Sequence, residues 1–249
     1  MILIPFRDFP PVLKPTTNAE ESSTNIEQEW NSQDWLNGAK ELIRWSHSLA
    51  GDDSFMLVVR HSHREIIASY DDMVGRGLTG LGHRMAREFG RRLPLRKDTR
   101  IFHSYVPRCT ETAEDIAEGI RDAGGIVDFV EASDLLVGPR VIDPQLWQKI
   151  GRDGIRVLGF VEEWHSGMYT EQQMESYDKF QTRVVREMIR KLRSAPEGSM
   201  HLHVTHDLFL AAAKRAMQTT YASVSDRPSY LAGFGVIVRP KKSVAFEIR

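Results

Sequence analysis

The apolar residues of this chain keep two rhythms. From Phe55 to Val59 they run unbroken, which predicts a strand buried on both faces in a parallel sheet. Upstream, Trp35, Leu36, Ala39, Leu42, Ile43 and Leu49 recur at helical spacing behind Ser32, a suitable N-cap, so a helix is expected to end before Gly51. Downstream, Thr79 caps a helix carrying Met85, Ala86, Phe89 and Leu93, and Arg100 to Phe102 begin a short strand. Pro107 opens a helix with Thr110, Ala113, Ile116, Ala117 and Ile120; it stops near Gly124, and Ile126 to Val130 resume a strand. Tyr177, Val184, Val185, Met188, Ile189 and Leu192 mark a long helix, followed by a strand from Met200 to Thr205 and a helix after Asp207. Phe234 to Val238 and Val244 to Ile248 read as closing strands joined by a turn at Pro240 to Lys242. This alternation of strand and helix predicts a layered α/β fold.

Two stretches keep neither rhythm. Residues 1–26 read as an extended arm and polar linker ahead of a single domain spanning 27–249. Between about 138 and 170, Trp147, Phe160, Trp164 and Tyr169 lie among glycines without a period, which reads as a cap or lid inserted in that domain.

Composition narrows the partners. With 249 residues and 41% hydrophobic content the chain can bury a large core. A net charge of −1 gives no global drive towards nucleic acid or acidic membranes, so neither is expected as a partner. Cys109 is the only cysteine, which excludes an intrachain disulfide and a cysteine-cage metal site and makes the cytoplasm the expected compartment. The opening MILIPF is too short for a signal-peptide core, and no run approaches the roughly 20 apolar residues of a membrane helix.

In parallel α/β sheets ligands bind beyond the carboxyl ends of the strands. Three such ends carry chemistry: Arg60 to Arg64 after the first strand, Ser104 to Arg108 after the second, and His206 with Asp207 after HLHVT. Arg60, Arg64 and Arg108 offer forked donors for an oxyanion, His61 and His206 are imidazoles, and Asp207 is a carboxyl group, a set that suits a phosphoryl group. A rival is a metal-dependent hydrolase, because His61 and His63 form H-x-H and HLHVTHD resembles a metallo-β-lactamase motif. Thr205 stands where that motif needs Asp, and Arg60 and Arg64 would repel a dication. A cysteine phosphatase loop would require Arg where Asp115 stands. A non-catalytic phosphate-binding module is a third reading. Alternation puts His201, His203 and Thr205 on one strand face, where the histidines read as packing or hydrogen-bonding residues rather than ligands. His83, His103 and His165 read as ordinary surface or loop histidines. Arg87, Arg91, Arg92, Arg96 and Lys97 read as an exposed helix face.

Four motifs in order, RHS at 60 to 62, LTGLG at 78 to 82, SYVPRCTETAE at 104 to 114 and VTHD at 204 to 207, resemble the histidine phosphatase superfamily, which includes acid phosphatases and cofactor-dependent phosphoglycerate mutases. The resemblance implies a phosphoglycerate mutase-like three-layer α/β/α sandwich with a mostly parallel central sheet. It implies that His61 is the nucleophile forming a phosphohistidine, and that Arg60, Arg64, Arg108 and His206 hold the phosphate. In the acid-phosphatase-like branch the aspartate after the late histidine donates the proton, which points to Asp207. The other branch draws its acid from the loop after the third strand, where Glu131 is the weaker candidate. The usual glycine after the nucleophile is Ser62 here, which puts the pocket's dimensions in question, and His63 falls in a variable slot at the pocket. The expected activity is hydrolysis of a small phosphorylated metabolite without metal or cofactor; a mutase-like phosphotransferase is the alternative.

Overall fold

The computed structural model describes residues 23–67, 70–151, 156–217, 228–238 and 244–245. Helices α1 (Ser23–Ser32) and α2 (Asn37–His47) flank a 3-10 turn at Asp34–Leu36 and lead into β1 (Ser54–Arg60). Then come α3 (Tyr70–Gly75), α4 (Gly80–Arg91), β2 (Thr99–His103), α5 (Pro107–Asp122) and β3 (Phe129–Ala132). After α6 (Pro144–Gly151) and α7 (Val157–His165), one continuous helix runs as α8 (Tyr177–Phe180), a π turn at Gln181–Val185, and α9 (Arg186–Arg193). β4 (Met200–Thr205), α10 (Asp207–Met217), β5 (Gly233–Val238) and β6 (Val244–Ala245) complete the described chain.

The strands form one six-stranded sheet ordered β3, β2, β4, β1, β5, β6. β1 pairs parallel with β4, and β2 pairs parallel with β4 and β3. β5 and β6 run antiparallel at the other side. The unbroken apolar run of β1 follows from its position, since alternate residues enter different cores. Met56 and Val58 face one that includes Phe160, Trp164, Phe180 and Phe209; Phe55, Leu57 and Val59 face another that includes Trp45, Phe89 and Ile116. Each fully buried side chain of this size stabilises by about 1.5–3 kcal/mol. Helices thus cover both faces, and the layered α/β architecture is the one observed.

Several expectations shift. Ser32 does not cap a following helix: its hydroxyl donates to Glu29 O, 2.9 Å away, and closes α1. Residues 23–26 are the first turn of α1 rather than linker, held because Trp30 is buried and Arg84 forks onto the Glu29 carboxylate at 2.5 and 2.8 Å. The third strand starts at Phe129, not Ile126: Asp128 N donates to Thr99 O and its carboxylate accepts from Thr99 N, so pairing begins only there, and Ile126 stays exposed. Within residues 138–170, Phe160 and Trp164 of α7 are buried in the core shared with α10. The expected arm over residues 1–22 and the turn at Pro240 to Lys242 lie outside the described residues, as does the strand expected at Val244 to Ile248 beyond Ala245. The arginines of α4 are not simply solvated. Arg87 and Arg91 reach Asp122 of α5 at 2.7 and 2.9 Å, and Arg92 pairs with Glu88 and with Glu27 of α1.

Candidate active site

β1 and β4 run side by side and parallel, so the residues after them emerge at one edge of the sheet. His61 N donates to Thr205 O at 2.9 Å, which prolongs the pairing by one residue and fixes where the His61 ring starts. Ser62, fully buried, takes its backbone N–H to Thr112 Oγ1 (3.0 Å) and its hydroxyl to Gly82 O (2.8 Å). The hydroxyl therefore ties the loop to the first turn of α4. Gly82 is needed there, because a Cβ would lie 2.0 Å from His63 O. Thr79 completes the seam: its side chain accepts from Gly82 N, and its N–H donates to His63 O.

The ring of His61 is oriented by this loop. Its Nδ1 lies 2.8 Å from Ser62 O, a carbonyl that only accepts, so Nδ1 carries the proton and Nε2 carries the lone pair. Arg108 Nε donates to that lone pair at 3.2 Å, and Arg108 Nη2 donates to His206 Nδ1 at 3.1 Å, so one buried guanidinium spans both imidazoles. His206 Nε2 in turn donates to Ser104 Oγ, 3.0 Å away. Burial, then the charges of Arg108 and Arg60, hold His61 well below the ordinary histidine value near 6.5. Desolvation and Arg108 bring His206 to about 3. Both rings are neutral at pH 7.

A turn before β5 holds Arg60. Its N–H and C=O bond Ala232 O and Leu231 N, its Nη1 donates to Pro228 O at 2.8 Å, and its guanidinium lies 4.2 Å from the Tyr230 ring centroid. Leu231, fully buried, adopts φ 56°, a left-handed conformation that surrounding packing must enforce. Arg60 Nη2 lies 3.4 Å from Asp207 Oδ2, and Leu208 N donates to Asp207 Oδ1 at 2.8 Å.

The structure therefore brings together Arg60, His61, Arg108, His206 and Asp207. Arg64 pairs its backbone with Leu78 beside them, and its charge reaches His206 and Arg108. His63 Nδ1 lies 2.9 Å from Thr79 Oγ1 and its ring packs on Tyr230, so the two imidazoles of H-x-H are engaged by different partners. Among the described residues no group of three or more His, Cys, Asp or Glu is placed to hold a metal ion. Glu131 is exposed within β3, the outer strand, and shares no hydrogen bond or ion pair with these residues. Cys109 is buried, its thiol directed at Thr205 O and pushed up to about 12 by burial. His103 is not a surface residue: it is buried, with Nδ1 on Ser104 O at 2.9 Å, because it ends a central strand. His83 is paired with Asp115 at 2.7 Å, which raises its proton affinity. Tyr230 and Trp35 were missed by the sequence reading. Trp35 sat on a helical stripe that hid it, and Tyr230 follows no motif.

A sequence profile of the histidine phosphatase superfamily (branch 1) matches residues 56–238. No curated protein matches the chain. Among solved structures, phosphoglycerate mutase from Bacillus anthracis is similar with TM-score 0.53 at 14% identity, over 80% of this chain and 93% of that one. Bacillus stearothermophilus YhfR is similar with TM-score 0.52 at 19% identity, covering 78% and 96%. A mycobacterial glucosyl-3-phosphoglycerate phosphatase is similar with TM-score 0.51 at 18% identity, covering 79% and 97%. At these identities the likeness is one of fold.

Proposed function

Because the chain belongs to the histidine phosphatase superfamily, we propose that it hydrolyses phosphomonoesters through a phosphohistidine on His61. The observation that carries this is the state of His61: neutral, with Nδ1–H pinned to Ser62 O and the Nε2 lone pair directed at the Arg108 guanidinium. A phosphoryl group held by Arg108 presents its phosphorus to Nε2. Arg60, Arg64 and the Nε2–H of His206 supply further donors for the equatorial oxygens, where charge spreads in the transition state. The N–P bond forms as the P–O bond breaks, and water then attacks phosphorus and returns His61 to its neutral form.

Asp207 is the proposed proton donor to the leaving oxygen. In the free protein its carboxylate is paired with Arg60 and with the N–H of Leu208. A bound phosphoryl dianion competes for Arg60 and sets negative charge beside the carboxylate, and both changes favour proton uptake. Glu131, exposed within β3, has the weaker claim.

The test is trapping by a denaturing quench at alkaline pH during turnover of a panel of phosphomonoesters. Acid-labile, alkali-stable phosphate should appear on the wild-type protein and be absent from His61→Ala, with release falling at least about 10³-fold, the scale of losing a nucleophile. Turnover unaffected in His61→Ala would sink the proposal; transfer to a second substrate in place of water would identify a mutase.

A further inference from the structure

Three ring side chains from three separate chain segments meet beside His61. Tyr230 lies 5.7 Å from the His61 ring, His63 lies 5.1 Å from Tyr230, and Trp35 lies 5.7 Å from Tyr230 and 5.9 Å from His63, all centroid to centroid. All three are half-buried, so each keeps part of its surface open. Trp35 comes from the 3-10 turn between α1 and α2, ahead of the residues that the family profile matches, so the common fold does not require it.

We propose that Trp35, Tyr230 and His63 form the leaving-group subsite, and that it takes phosphate esters whose leaving group is a flat aromatic ring. This rests on the phosphatase reading of His61. The three rings pack on one another at 5.1–5.9 Å, within the 4.5–7 Å range favourable for aromatic pairs, and so form one continuous aromatic wall beside the nucleophile. Two of the wall's polar atoms are already engaged: Trp35 Nε1 donates to Gln33 Oε1 at 3.0 Å and His63 Nδ1 is on Thr79 Oγ1 at 2.9 Å. An aryl leaving group has no hydroxyls to desolvate and would pack on these ring faces. The chemistry agrees with the geometry. In the transfer the ester oxygen keeps the P–O electron pair and leaves as a phenolate, whose conjugate acid has a pKa of about 10. An alkoxide is far more basic. A phenolate therefore depends less on an acid such as Asp207, which in the free protein is tied to Arg60.

The experiment measures kcat/KM for phenyl phosphate, glycerol phosphate and glucose 6-phosphate on wild type, Trp35→Phe and Trp35→Leu, with thermal unfolding to confirm that each variant folds. Aryl esters are intrinsically more reactive, so the readout is how each substitution changes the ratio between substrates. Trp35→Leu keeps apolar bulk but removes the ring. It should lower the phenyl-to-glycerol ratio about tenfold, mainly through KM, and Trp35→Phe should restore most of it. An equal fall on all three esters, or a fall confined to glucose 6-phosphate, overturns the subsite. Absence of His61-dependent release from every ester would instead overturn the phosphatase reading on which the subsite rests.

Discussion

A nucleophilic imidazole must be unprotonated, and in solution half of an ordinary histidine has lost that state at pH of about 6.5. At His61 burial, then Arg108 and Arg60, shift this loss well below that value. Protonation of the nucleophile therefore does not limit the reaction in mildly acidic solution, where a carboxylic acid donor such as Asp207 is also better populated. Single-turnover phosphorylation at saturating substrate should stay level or rise from pH 7.0 to 5.5. A fall with a midpoint near 6.5 would show that the ring is not desolvated as the structure has it. The same burial has the opposite consequence for Cys109, whose thiol at about 12 is inert as a nucleophile at neutral pH although it lies 3.6 Å from His206 Nε2. Two neighbouring groups thus have their reactivity set by one environment, because burial always penalises the charged form.

Elements show where the sequence was legible. β1 announced itself as an unbroken apolar run buried on both faces, and β2, β4, α4, α5 and α10 by apolar positions that match their geometry. The three strand ends that hold Arg60, His61, Arg108, His206 and Asp207 could be read for the same reason. The start of β3 could not, because a side-chain bond from Asp128 rather than apolar rhythm decides where pairing begins. The α1 helix was hidden because only Trp30 and, in part, Ile26 pack inward from it, and the rest of its docking is ion pairs with α4, which leave no periodic trace. The wall beside His61 was equally silent, since it is assembled from residues 35, 63 and 230. On β4 the alternation correctly put His201 and His203 on one face, but the structure adds that both ring nitrogens of each are buried without a hydrogen-bond partner. His203 instead stacks on Phe102 at 5.0 Å and 18°. Leaving a buried polar group unsatisfied costs about 1–3 kcal/mol. His203→Phe keeps the stack and removes both nitrogens, so it should raise stability at pH 7.5 by about 1 kcal/mol, read from the urea midpoint. A loss of stability would mean that these nitrogens are satisfied in solution.

At the scale of the whole molecule these histidines act together. His61 and His203 are held well below 6.5, His201 at about 4 and His206 at about 3, burial being the first cause in each case. When the chain unfolds, each returns to its ordinary value. Below pH of about 6.5 the unfolded chain therefore binds protons that the folded chain refuses, and stability falls with pH by up to about 1.4 kcal/mol per unit per group. The loss begins at 6.5 and continues down towards the folded values, so it is well under way before most carboxylates titrate. His83 opposes it, since its bond to Asp115 raises its proton affinity, and Glu111 and Asp115, raised by burial, oppose it at the acid end. The depressed histidines outnumber His83 in the window from 6.5 to 5, and the shifts at His61 and His203 are large, so the net effect is destabilising. The urea midpoint should be level above pH 7 and fall steadily from 6.5 to 5, in buffers of equal ionic strength. In His203→Phe one of these protons is gone, so the slope should be shallower by about 1.4 kcal/mol per unit at most, while the position of its onset is unchanged. A midpoint that stays flat to pH 5, or a variant slope identical to wild type, would contradict a core that keeps its imidazoles neutral.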